Sequence, residues 1–215
     1  MFIEGRERFD LSAWIAEHGR PEVVGISMIT ATVKRGYEIA DDCRSRGIPV
    51  ILGGPHVTFL PDKALAHAQF VVREEGEGAM SALLDAWSEG YEEATGTCYA
   101  AILNLSWKDD SGIIRHNAVA PWITDLDALP VPDFSLADGT ADCVIGRKKT
   151  VMVQTSRGCP FDCSFFMPLV IMRGRTNTGV GLNSRKALAL TRHYSLRTDP
   201  HLAPIRSAPF AIGTF

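Results

Sequence analysis

The N-terminal part of the chain alternates short apolar runs with longer amphipathic stretches. Glu22-Val-Val-Gly-Ile-Ser-Met-Ile29 is almost continuously apolar, and so are Pro49-Val-Ile-Leu-Gly53 and Phe70-Val71-Val72. Runs of this kind mark strands covered on both faces. Between the first two, Ala31 to Arg46 places apolar residues at 33, 37, 39, 40 and 43, near helical spacing, and Gly47 closes the segment. Asp10 and Gly19 bracket a short helix as its cap and its stop. Pro61 to Ala68 reads as a short helix with proline at its first turn. Glu75-Gly76-Glu77-Gly78 leads into an amphipathic helix through Ala79, Met80, Leu83, Leu84 and Trp87. Strands and helices in this alternation predict βαβ units. The expected fold class is α/β, an incomplete doubly wound parallel sheet, occupying residues 1–92.

The pattern then changes. Ala100 to Trp107 and Ile113 to His116 flank Lys108-Asp-Asp-Ser-Gly112, which is turn chemistry between two strands. Residues 118–142 are proline-rich and irregular, a linker, so that hairpin and linker together take residues 93–149. Thr150-Val151-Met152-Val153 is another apolar run, and Gly158 and Pro160 break it into a loop bearing Cys159 and Cys163 beside Arg157.

Charge sharpens a boundary near that loop. The whole chain carries a net charge of −3, yet residues 164–215 hold one acid, Asp199, and seven bases. They also lack apolar periodicity. Loss of the coding frame near residue 165 accounts for both features, and a basic disordered tail over 167–215 is the alternative. That tail lacks interleaved aromatics, so no nucleic-acid partner is expected. No apolar run approaches ~18 residues and Met1 to Arg6 has no signal-peptide pattern, so a cytoplasmic protein without a membrane span is expected.

Five cysteines, at 43, 98, 143, 159 and 163, follow no disulfide framework, and reduced thiols are expected. Cys43 falls on the apolar face of its helix and reads as core. Zinc held by Cys159, Cys163 and His193 would need a ligand gap unlike the common spacings. His18, His67, His116 and His201 read as surface residues, and His56 as either a turn histidine or the lining of a ligand pocket.

Gln154-Thr-Ser-Arg-Gly-Cys159-Pro-Phe-Asp-Cys163-Ser-Phe165 resembles the cluster loop of the radical S-adenosylmethionine (radical SAM) family, whose motif is CxxxCxφC with an aromatic at φ. Cys159, Cys163 and Phe165 fall on the pattern, and Phe166 stands where the third cysteine would be. The order of pieces upstream, including Val24-Gly-Ile-Ser27, Gly53-Gly-Pro-His56 and Glu75-Gly-Glu77, is similar to members with an N-terminal cobalamin-binding domain of flavodoxin-like fold. The resemblance covers about residues 10–165. It implies three cofactors: cobalamin, a 4Fe-4S cluster and S-adenosylmethionine. In such a protein Cys159 and Cys163 would be metal ligands, and Phe165 would pack by the cluster over residues 150–166, the first strand of a partial barrel. Ser27, Thr30, Gly53, Gly54, Pro55, His56, Glu75 and Gly76 would line the corrinoid's lower face and tail. The reaction would be methyl transfer or radical chemistry on an unspecified small-molecule substrate.

Measured against that family the chain is expected to start late, stop early and be catalytically incomplete. A corrinoid-binding module without turnover, or a non-functional truncated product, is the alternative. The DxHxxG cobalamin-ligating motif of related domains is absent. The 22–29 strand is expected to keep an unpaired edge, open to self-association.

Overall fold

A computed structural model describes residues 9–88 and 98–130, together with two-residue strands at 144–145, 148–149, 156–157 and 180–181. The chain divides into a unit spanning Asp10–Trp122 and a second containing Ile123–Thr214.

In the first unit, helix α1 (Leu11–His18) begins at Asp10, whose carboxylate accepts from the backbone N–H groups of Ser12 and Ala13 at 2.8 and 3.1 Å. Strand β1 (Val24–Ser27), helix α2 (Val33–Ser45) and strand β2 (Val50–Gly53) form one βαβ unit, with β1 and β2 parallel and Ser27 opposite Gly53. Helices α3 (Pro55–Phe59) and α4 (Pro61–Ala64) then lead to strand β3 (Phe70–Val72), parallel to β2. The sequence reading joined residues 61–68 into one helix and missed α3. Pro55 after Gly54 reads as a turn, but proline at the first position of a helix replaces only a donor that has no partner there.

Helix α5 (Glu77–Ser88) precedes an antiparallel hairpin, β4 (Leu105–Lys108) and β5 (Ile114–His116). Asp109 closes its turn, accepting from the N–H groups of Ser111 and Ile113 at 3.0 and 2.9 Å and from Arg115 Nε at 2.8 Å. The hairpin continues the same sheet, because β4 pairs antiparallel with β3. The five strands stand in the order β1-β2-β3-β4-β5 in an open, mixed sheet. Among the described residues β1 pairs with β2 alone.

Burial follows the pleat. Ile51, Phe70 and Val72 share a core with Ala79 and Leu83 of α5 and with Tyr99, Ile102, Leu105 and Trp107. Successive strand residues point to opposite faces, so Val50, Leu52 and Val71, all fully buried, turn to the other side. There α2 packs on β1 and β2, and α3 on β2 and β3. Helices on both faces explain why the apolar runs lack alternation.

Cys43 of α2 is fully buried, and burial pushes its thiol up to about 11. Alkylation follows the thiolate. In native protein treated with iodoacetamide at neutral pH, peptide mapping should find Cys43 unmodified until denaturant is added. Early labelling would contradict this packing.

In the second unit, Asp125 caps a 3-10 turn (Leu126–Ala128), accepting from the Asp127 N–H at 2.9 Å. Two antiparallel pairs follow, β6 (Val144–Ile145) with β7 (Lys148–Lys149), and β8 (Ser156–Arg157) with β9 (Val180–Gly181). The expected strand at 150–153, the thiols Cys159 and Cys163, Phe165 and all of the basic tail except Val180–Gly181 lie outside the described residues.

Candidate functional site

Because β1, β2 and β3 are parallel, their C-terminal ends share one edge of the sheet. Ligands of open α/β sheets bind beyond that edge. Three loops leave it here, at residues 27–32, 53–56 and 73–76. The chain ends of β4 and β5 that carry Asn104 and Asn117 reach the same edge, since β4 runs opposite to β3.

The first two loops are locked together. Met28 donates its N–H to Gly53 O at 3.1 Å, and Met28 O accepts from the His56 N–H at 3.5 Å. Gly54 lies between them at φ 96 and ψ 174, a region open essentially to glycine alone. A Cβ there would come within 2.6 Å of Met28 O, 2.9 Å of Met28 N and 3.0 Å of Ser27 Oγ. Gly53 differs, for a Cβ on it would meet only Val72 O, at 3.8 Å. The hydroxyls of Ser27 and Thr30 belong to exposed residues, and Thr30 Oγ1 lies 3.1 Å from His56 Nδ1. His56 Nε2 is buried without a partner among the described residues. Pro55 is exposed at the start of α3.

Tyr37 of α2 extends this group. Its ring meets His56 edge-on at 6.4 Å and stacks on His67 at 4.0 Å. Its hydroxyl is buried without a partner among the described residues, and burial raises its pKa. His67 Nδ1 is 2.9 Å from Asp41 Oδ1. His67 is thus half-buried and engaged, where the sequence suggested a plain surface residue.

The third loop is fixed from two sides. Thr58 Oγ1 donates to Gly54 O at 3.2 Å and accepts from the Glu74 N–H at 3.0 Å, which ties the β3 exit to the β2 exit. Asn104, buried at 3% exposure, donates from Nδ2 to Glu75 O at 2.8 Å and accepts at Oδ1 from the Ala120 N–H at 2.7 Å. Arg73 donates its N–H to Asn104 O at 2.9 Å, and its guanidinium donates to Asn117 O. Glu74 has φ 57 and Asn104 φ 64, both left-handed. Burial pushes the Glu74 carboxyl above the ordinary range, Arg73 opposes this and Glu75 adds to it. Glu74 Oε2 and Arg73 Nε are buried without partners among the described residues. Gly76 packs closely, a Cβ there lying 3.1 Å from Val72 Cγ1.

The structure therefore brings Ser27, Thr30, Gly53, Gly54, Pro55, His56, Glu75 and Gly76 to one edge. Sequence reasoning missed Thr58, Glu74 and Asn104. A lone polar residue inside Ile102-Leu-Asn-Leu105 is a signal for Asn104, while Thr58 and Glu74 carry none.

A second constellation deserves exclusion. Ser106 Oγ is 2.9 Å from His116 Nδ1, and His116 Nε2 is 2.9 Å from Asp62 Oδ1. The residue types match a hydrolytic triad, but Ser106 is fully buried, so no substrate reaches it. The three residues fasten the hairpin to α4.

Fold and edge together define an open-sheet α/β domain of flavodoxin-like fold, with three loops gathered at the C-terminal ends of its parallel strands. Residues 6–84 match the B12 binding domain family. Its relatives and structural neighbour are proteins of the radical SAM kind that work with cobalamin. It is 35% identical over 157 residues to an uncharacterized methyltransferase of Pyrococcus horikoshii, covering 67% of this chain and 31% of that protein. It is 33% identical over 150 residues to the bacteriochlorophyllide d C-8(2)-methyltransferase of Chlorobaculum tepidum, covering 68% and 28%. The anaerobic magnesium-protoporphyrin IX monomethyl ester cyclase of Rubrivivax gelatinosus is 31% identical over 153 residues, covering 68% and 27%. The chain thus spans less than a third of each of these relatives. Among solved structures, the cobalamin-dependent S-adenosylmethionine radical enzyme OxsB, with aqua-cobalamin and S-adenosylmethionine bound, superposes with a TM-score of 0.62 at 17% identity, over 85% of this chain and 24% of that one. Among the described residues no helix is long and apolar enough to cross a membrane.

Proposed function

We propose that the 10–122 unit holds cobalamin against the C-terminal edge of its sheet, on behalf of methyl-transfer or radical chemistry of the kind its relatives' names describe. The observation that carries this is the Gly54 cradle. Its backbone lies so close to Ser27 and Met28 that no side chain fits, which locks the β1 and β2 exits together and holds their exposed hydroxyls at one edge, where ligands of open α/β sheets bind. The residues around it suit cobalamin, whose rim bears many amide groups. Ser27 and Thr30 offer hydroxyls, Gly53 and Gly54 a bare backbone, and His56 Nε2 a buried polar atom with no partner among the described residues. When bound, cobalamin supplies a cobalt centre able to carry a methyl group. The protein's residues bind it, orient it and exclude water from the face against the sheet.

Cluster and S-adenosylmethionine chemistry remain implied by kinship. Cys159 and Cys163 supply two thiolates, and Phe166 occupies the position of the third. The function assigned to this chain is therefore retention of the corrinoid. Titration of the purified protein with hydroxocobalamin should produce a saturable spectral change, at a stoichiometry of one corrinoid per chain. A folded sample that leaves the spectrum unaltered would overturn the proposal.

A further inference from the structure

Strand β1 forms one side of the sheet, and its outer rim is bare among the described residues. Val24 donates its N–H to Pro49 O at 2.9 Å and Met28 donates to Gly53 O at 3.1 Å, so residues 24, 26 and 28 turn their main-chain groups towards β2. Alternation along the strand turns those of Val23, Gly25 and Ser27 outward. Gly25 and Ser27 are exposed, in keeping with an open rim. Val24 and Ile26 are only half-buried, although Val50 and Leu52, beside them on β2, are fully buried. Nothing from Val23 to Ile29 guards the rim, for the stretch holds no charge and no proline. The adjoining flank of α5 is apolar too. A Cβ on Gly25 would lie 3.8 Å from Met80 Cε, and Leu84, one turn further along the same side of α5, is 42% exposed.

We propose that this rim pairs with a second copy of the chain, β1 against β1, antiparallel across a two-fold axis at Gly25. Self-complementarity selects this occupant. With Gly25 opposite Gly25, Val24 of each copy faces Ile26 of the other, and Val23 faces Ser27. The β-branched side chains that one copy leaves half-covered thus cover those of the other. The outward main-chain groups of Val23, Gly25 and Ser27 fall in hydrogen-bonded pairs. The axis stands perpendicular to the sheet, so each face meets its own copy, and the α5 flank bearing Met80 and Leu84 turns towards the same flank of the other copy. So short a strand pair buries little area, which makes the dimer a reversible one. The paired strands run in opposite directions, so the two ligand edges point away from each other and both stay open. Pairing is therefore independent of corrinoid binding.

The test is sedimentation velocity of the full chain between about 1 and 100 µM, the range of a weak reversible dimer. Wild type should pass from monomer to dimer. Gly25→Lys and Gly25→Glu fit the strand, since the new Cβ meets Met80 Cε at an ordinary distance. Either variant alone sets like charges face to face across the axis and should raise the dissociation constant at least about tenfold. An equimolar mixture of the two sets opposite charges face to face and should restore the dimer. Wild type that stays monomeric throughout overturns the inference, whether the rim is left open or is covered by another segment of the chain. Dimerisation unaltered in both variants places the contact elsewhere and overturns it too. A mixture that remains monomeric overturns the pairing at Gly25. Species larger than a dimer also count against it, because a two-fold pairing of rims closes on itself. Circular dichroism checks folding. Should either variant fail to fold, Leu84→Lys, at an exposed side chain, takes its place and should weaken the dimer likewise.

Discussion

Replacing Gly54 with alanine is expected to destabilise the 10–122 unit by about 3 kcal/mol and to abolish corrinoid binding. Two costs combine. The backbone at φ 96 and ψ 174 is essentially restricted to glycine, and holding another residue there costs ~1–3 kcal/mol. The new Cβ also faces Met28 O and Met28 N at 2.6 and 2.9 Å. These are main-chain atoms on the β1 exit, so relief requires separating β1 from β2, and overpacking of this kind costs ~1–3 kcal/mol. Gly53→Ala is the control. Its Cβ would make an ordinary contact at 3.8 Å, and its cost should stay within about 1 kcal/mol. Urea unfolding followed by far-ultraviolet circular dichroism reads both, as a shift of midpoint at constant slope. Equal midpoints for the two variants would refute the close approach on which the cradle depends.

Asn104→Ala should cost a similar amount, about 3 kcal/mol, by a different route. The amide satisfies Glu75 O at 2.8 Å and the Ala120 N–H at 2.7 Å, and truncation leaves both buried groups without partners, at ~1–3 kcal/mol each. Asn104 also sits at φ 64, which asparagine tolerates better than alanine. Asn104→Gly separates the two effects. It loses the same hydrogen bonds but relaxes the backbone, so it should be about 1 kcal/mol less damaging than Asn104→Ala. The Glu75-Gly76 loop would be released in both, and hydrogen exchange at Glu75 to Glu77 should quicken well before global unfolding. Protection there unchanged from wild type would show that the amide does not hold the loop.

The sequence disclosed most of the parallel part of this fold. Val50, Ile51, Leu52 and Phe70, Val71, Val72 are unbroken apolar runs because both faces of those strands are covered, and a local pattern carries that information directly. The family resemblance also pointed to Ser27, Gly53, Gly54 and His56, and their place just after strands agrees with the ligand edge of an α/β sheet. Where the chain needed a distant partner, the pattern was silent. Nothing in Leu105-Ser-Trp-Lys108 says that its neighbour is β3, so the hairpin read as a separate piece. Thr58 is an unremarkable helical residue until Glu74 is brought against it. Glu74 sits next to the Glu75-Gly76 pair that the resemblance highlighted, yet its left-handed backbone is visible only in three dimensions.

Spatial order in the sheet equals order along the chain, from β1 through β5. Among the described strands of this sheet, none has to be threaded between two already in place. Each newly synthesised segment joins the free rim left by the one before, so the domain can grow outward as it emerges from the ribosome, with α2 laid down before β2 docks on β1. Antiparallel pairing of β5 with β4 then shortens the last connection to a tight turn around Asp109, a closure on the microsecond scale. Assembly of the ligand edge is thereby deferred to the end. Asn104 and Asn117, which fasten the third loop, flank the final hairpin, so a nascent chain would complete this edge only once residue 120 has cleared the exit tunnel.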